Sequence, residues 1–121
     1  MVIPNAHLNE VAKAMSGDSF VTPLYYGFSS TLTTTDVTDT SMTGEYGSRL
    51  SITRTRSDNI NSYTTIKTGA LVSTSGETIK GVAMFSASTS GTLMTETAIP
   101  TINQTNSFDI EFVSQITYDR S

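Results

Sequence analysis

The sequence predicts a mainly β protein, an antiparallel β-sandwich of jelly-roll-like type with one short N-terminal α-helix. Three observations carry that expectation. Residues 107–119 alternate with period two: Phe108, Ile110, Phe112, Ile116 and Tyr118 share one parity, interrupted only by Ser114. Asp109, Glu111, Gln115, Thr117 and Asp119 hold the other, with Val113 the exception. That is the pattern of a long half-buried strand. Second, the 121 residues include 22 Thr and 17 Ser, and the branched Cβ of Thr suits a pleated surface. Third, short apolar runs recur between Ser-, Asn- and Gly-rich turns, which is strand and hairpin punctuation. At this length the chain is one domain, residues 1–121, with a single core.

Taken in order, residues 5–16 hold the one helical pattern. Leu8, Val11, Ala12 and Met15 fall at i, i+3, i+4 and i+7, forming an apolar stripe. Asn5 is the expected N-cap and Gly17 the left-handed stop. About three turns are marginal alone, so the helix is expected to dock on the sheet or on a neighbouring subunit. Residues 19–30 place Phe20, Leu24, Tyr26 and Phe28 on one side of a strand. Pro23 lacks an amide donor, so that strand lies at an edge or starts after Pro23.

Residues 31–47 show no sustained period and read as a long loop with a short turn near 36–42. Such loops are often contact or functional elements. Residues 49–56 are the next strand. Leu50, Ile52, Arg54 and Arg56 share parity, giving a buried apolar half and a solvated end. Ser57, Asp58 and Asn59 signal a turn. Residues 60–72 alternate less cleanly, with a bulge or break expected near Gly69. A turn over 73–77 leads to residues 78–87, apolar on both faces. This fits a central strand covered on both sides, one cover being the N-terminal helix. SASTSG reads as a hairpin connection to a strand over 92–100. Residues 101–106 then link it to the final strand, so the last three strands are expected in one antiparallel row.

The formal charge of −4 and the lack of a cationic cluster beyond Arg49, Arg54 and Arg56 argue against a nucleic-acid binder. Without Cys there is neither a disulfide framework nor a thiolate zinc site. Apolar runs of about five residues fall far short of the roughly 20 a membrane helix needs, and no signal peptide is recognisable. The expectation is a soluble protein made in a cytosol, with no membrane partner. His7 is the only histidine and reads as a solvated or packing residue. It is accompanied by no GxSxG motif and no second catalytic partner. No catalytic, cofactor-binding or metal-binding residue is therefore expected.

Asp36, Asp39 and Glu45 lack calcium-loop spacing and read as solvated carboxylates. Asp109, Glu111 and Glu96 would need facing positions to hydrolyse glycosides, and an exposed acidic strand face is the simpler reading. Asn103, Gln104 and Thr105 match a glycosylation sequon, read as chance. Tyr25, Tyr26 and Phe28 form a sugar-stacking platform if exposed, although alternation puts Tyr26 and Phe28 more economically in the core. The candidate interaction residues are Tyr25, Tyr26, Asp36, Asp39, Glu45, Arg54 and Arg56.

The order of features resembles the small virion structural proteins of tailed phages. The helix NAHLNEVAKAM, the strand YYGFSS with its loop TTTDVTDTSMTGE, the hairpin GVAMFSASTSGTLMTETAIPTIN and the closing SFDIEFVSQITYD carry that resemblance. It covers most of the chain in order, and residues 49–72 carry nothing that matches. It implies a β-sandwich that oligomerises on a virion, as a head decoration or as a tail, collar or fibre component, and it brings no catalytic residues. The implied partners are the chain itself and other virion proteins, such as the major capsid protein or tail proteins. A carbohydrate-binding sandwich for receptor attachment, with a glycan as partner, is the alternative.

Overall fold

The computed structural model describes residues 1–69 and 76–118. Along the chain run α1 (Asn5–Ser16), β1 (Tyr25–Ser29), β2 (Glu45–Ser51), β3 (Thr53–Ser57), β4 (Ile60–Thr68), β5 (Glu77–Phe85), β6 (Leu93–Gln104) and β7 (Asp109–Thr117). The strands form two antiparallel sheets, in the orders β2-β1-β5-β6 and β3-β4-β7. They pack as a β-sandwich. Between them lie Tyr26, Phe28, Tyr63, Ile79, Val82, Met84, Met94 and Ile116, with Phe112 half-buried against the cluster.

Alternation in β7 holds: Ile110, Phe112 and Ile116 face inward, while Asp109, Glu111, Val113 and Gln115 are exposed. The Phe112 ring lies 5.2 Å from that of Phe28 and 6.5 Å from that of Tyr26. Phe108 and Tyr118, just beyond the strand, are exposed, and Asp119 lies outside the described residues. The expected row of three strands does not form. β5 pairs with β6, but β7 pairs with β4 from Thr68↔Asp109 to Ile60↔Thr117 without a register break. A turn after β6 carries the chain from one sheet to the other, which lets Phe112 close over Phe28 from the opposite layer.

The strand expected over 49–56 is two strands. β2 ends at Ser51 in one sheet and β3 begins at Thr53 in the other, with Ile52 alone at the corner. Its amide donates to Leu24 O at 2.9 Å. Switching sheets at a bend is how a sandwich makes a corner, and one parity therefore serves both layers: Leu50 and Ile52 pack on the core, Arg54 and Arg56 stay exposed. β1 starts after Pro23 and is shorter than expected, with Phe20 and Leu24 exposed; it lies inside its sheet between β2 and β5.

Residues 101–104 are strand rather than link. Pro100 sits within β6, an edge strand, where a missing amide is tolerated. The ladder with β5 skips there, from Gly81↔Ala98 to Ile79↔Ile102. β4 ends at Thr68 before Gly69, whose φ of 77° only glycine adopts easily. The expected continuation over 70–72 and most of the turn over 73–77 lie outside the described residues.

β5 is central and covered on both faces, but α1 is not the second cover. Ala83 and Phe85 pack with Leu32, Met42 and Leu93 in a separate cluster, so the lid is the loop between β1 and β2. Ser29 Oγ draws its neck together, donating to Thr43 O at 2.5 Å and accepting from Leu32 N at 2.9 Å. Gly81 makes room, since a Cβ there would stand 2.5 Å from Leu32 Cδ2.

α1 packs instead against β6, and by a face different from the expected stripe. Leu8 and Met15 are exposed, whereas His7 and Glu10 are buried. The His7 Nδ1–H donates to Met94 O at 2.7 Å, which turns the helix toward β6 on its His7 side. Pro4, not Asn5, occupies the cap position, and Gly17 ends the helix in the left-handed region as expected.

Candidate docking surface

The segment between α1 and β1 builds an apolar cleft. Glu10 Oε2 accepts from Val21 N at 3.3 Å, and Glu10 Oε1 lies 3.1 Å from Lys13 Nζ. The Lys13 hydrogen bond holds the Glu10 carboxyl below its ordinary pKa. Farther along, Thr22 Oγ1 accepts from Arg54 Nη1 at 2.8 Å and Leu24 N donates to Phe85 O at 2.8 Å. The segment is thus pinned to the helix, to β3 and to β5. Between it and α1 opens a cleft of about 420 Å³ lined by Val11, Met15, Phe20, Val21, Tyr63 and Tyr118 among others. Met15 is 83% exposed and Phe20 51%. The surface lining the opening is mostly apolar.

The seven sequence-predicted residues do not converge on this cleft. Tyr26 is a correction: it is fully buried and cannot stack on a ligand. Its hydroxyl donates to Tyr63 O at 2.8 Å and meets Ser114 Oγ at 2.7 Å, and burial raises its pKa. The phenol is one polar link between the two layers. Tyr25, beside it in β1, is half-buried.

Asp36 and Asp39 organise their own turn. Asp36 Oδ1 accepts from Thr38 N at 2.8 Å and Thr38 Oγ1 at 2.7 Å, and the hydroxyl's bond foremost lowers the Asp36 pKa. Asp39 Oδ2 accepts from Asp36 N at 3.0 Å. Glu45 opens β2 and pairs with Arg49 two ways, at 2.7 Å and 3.0 Å. Arg54 and Arg56 lie on the exposed edge strand β3, Arg56 donating to Asp58 O at 2.9 Å.

Three residues carry more structure than sequence reasoning assigned them. Arg49, besides holding Glu45, donates to Ala87 O at 2.9 Å and Ser90 O at 2.7 Å and stacks 3.5 Å over the Phe85 ring. It fastens the β5–β6 hairpin to β2. Gly27 leaves space for this stack, since a Cβ there would be 2.6 Å from Glu45 Oε2 and 2.7 Å from Phe85 Cε2.

Glu96 is fully buried on β6, and neither carboxyl oxygen has a hydrogen-bond partner among the described residues. Burial first, then the neighbouring Asp39 carboxyl, push its pKa up to about 7. Asp109 and Glu111 belong to the other sheet, so the three carboxylates do not form the facing pair that glycoside hydrolysis needs. Lys67 is the third, wholly buried on β4. A polar residue inside a strand pattern is the signal that could have marked Glu96 and Lys67; nothing in the pattern points to the partners of Lys67.

Among the described residues no group of three or more His, Cys, Asp or Glu side chains gathers as metal ligands, and no helix is long and apolar enough to cross a membrane. No family model, curated protein or solved structure matches the chain.

Proposed function

We propose that this protein is a non-enzymatic structural subunit of a virion, decorating or stabilising the capsid or forming part of the tail or collar. It works by self-association and by contacts with other virion proteins. The observation that carries the reading is the apolar cleft beside α1, with Met15 and Phe20 open to solvent at its rim. A monomeric domain gains nothing from such a surface, whereas a lattice subunit buries it against a neighbour. The resemblance of the chain's motifs to small tailed-phage virion proteins gives the setting.

The edges of the sandwich support the same reading. β3 and β7 bound the three-stranded sheet, and an edge strand offers backbone groups to an added strand. The glycan-binding alternative is weaker, because the burial of Tyr26 and Phe28 removes two of the three rings of its aromatic platform.

Purified protein added to particles lacking it tests the proposal. Saturable binding with symmetric occupancy in electron micrographs is the expected result. Monomeric behaviour at high concentration together with no particle binding would reject it. Glycan-array binding abolished by Tyr25→Ala would favour the alternative.

A further inference from the structure

Strand β4 reverses the choice its residues invite. It turns Lys67 fully inward and leaves Ile66 56% exposed, although an ammonium loses hydration on burial and an isoleucine gains by it. The amine ends among groups delivered by separate elements. Lys67 Nζ pairs with the carboxylate of Glu77 at the start of β5. It donates to Gln104 Oε1 at the end of β6 over 2.5 Å and to Gly69 O over 2.7 Å. The Phe28 ring lies 5.7 Å away.

Gln104 is itself completely buried, and its amide nitrogen donates to Lys67 O at 2.9 Å and Phe108 O at 3.2 Å. An amine, a primary carboxamide and a carboxylate are thus fixed together out of water, with the carboxamide oxygen turned toward the amine.

We propose that Lys67 and Gln104 are joined by a self-catalysed isopeptide bond, with Glu77 carrying the proton. The neutral Nζ attacks Gln104 Cδ; the Nζ–Cδ bond forms, the Cδ–Nε2 bond breaks, and ammonia leaves. Glu77 accepts a proton from the attacking amine and returns it to the departing nitrogen, so the carboxylate is regenerated and no oxidant or co-reactant is consumed.

Three features favour the step. The nucleophile must be unprotonated, and burial lowers the Lys67 pKa to about 8. The 2.5 Å contact with Oε1 holds Nζ against the carboxamide it attacks. Positioning by the fold replaces a bimolecular encounter. The product puts a neutral amide where the buried ammonium had been, and the Glu77 carboxylate stays beside it. It ties β4 of one sheet to β6 of the other, between residues 37 apart in sequence, as a disulfide would in a chain that had cysteines.

Intact mass under denaturing conditions tests this, on full-length protein held folded at a pH above the Lys67 pKa. The expected mass is one ammonia below that of the sequence, with a branched peptide joining Lys67 to Gln104 after proteolysis. Glu77→Gln and Gln104→Leu, checked for β structure by circular dichroism, are expected at full mass. Folded wild-type protein at full mass overturns the proposal. A deficit of one water mapped to Lys67 and Glu77, or an ammonia loss mapped to any other residue, overturns it equally. Should the variants fail to fold, the wild-type peptide map alone decides.

Discussion

Glu96 lies opposite Ala83 on β6, under the loop that carries Asp39, with both carboxyl oxygens unpartnered. Its folded pKa of about 7 exceeds the ordinary 4.5, so between those values the folded state holds a proton that the unfolded state has released. The stability this proton contributes is fully present below pH 4.5 and lost as pH rises through 7. Wild-type protein should therefore lose roughly 2–3 kcal/mol more than Glu96→Gln across that window. Urea melts at each pH read the difference, and parallel pH profiles would reject it. At Arg49 geometry rather than charge matters: Arg49→Lys keeps the cation but loses the two-pronged pair with Glu45 and the flat stack on Phe85. A loss of about 1–2 kcal/mol is expected, read as a lowered urea midpoint. Arg49 lies on the opposite parity from Leu50, so alternation gave no sign of these contacts.

β7 is the strand in which alternation and structure agree most closely, and Phe112 is its test. Its ring meets Phe28 and Tyr26 across the sandwich, so Phe112→Ala should lower stability by about 3 kcal/mol through the cavity it leaves. An unchanged melting temperature would show that the ring contributes nothing. The loop over β5 is tested at Gly81. An added methyl would meet Leu32 at 2.5 Å, so Gly81→Ala should cost about 1–3 kcal/mol by lifting the lid from Ala83 and Phe85. Pairing it with Leu32→Ala should recover part of that loss, and strict additivity would reject the contact. α1 shows where periodicity misleads. The i, i+3, i+4, i+7 stripe is genuine in the sequence, yet one bond from His7 to Met94 O turns the helix so that Met15 faces water. A hydrophobic stripe does not say whether it meets its own sheet or a neighbour.

For the molecule as a whole, exposed apolar surface is concentrated beside α1, where Met15, Phe20 and Val21 line one cleft. If that cleft is a contact between subunits, Met15→Asp with Phe20→Asp should shift the protein toward monomer in sedimentation velocity and leave the melting temperature within a degree or two. Such substitutions at exposed positions change folding stability by only about 0.5 kcal/mol. Unaltered sedimentation alongside unaltered particle binding would remove the cleft from the assembly. The two sheets present four edges, β2, β6, β3 and β7. Val2 covers part of β6 by exchanging bonds of 2.8 Å and 3.0 Å with Glu96. Pro100 interrupts the same edge, a device that limits unwanted strand pairing.

What the sequence by itself determined is the local layer: strand rather than helix along most of the chain, the inward face of β7, the turn at Ser57–Asn59, and the double-sided burial of β5. These follow from the two-residue repeat of an extended backbone and from turn chemistry, which act between near neighbours. Only the tertiary structure decided that β7 leaves β6 for β4, that residues 49–56 bend across both layers at Ile52, and that Lys67 points inward while Ile66 does not. Those outcomes depend on partners such as Gln104, 37 positions away. A strand's own residues set which side chains share a face, but not which sheet that face will meet.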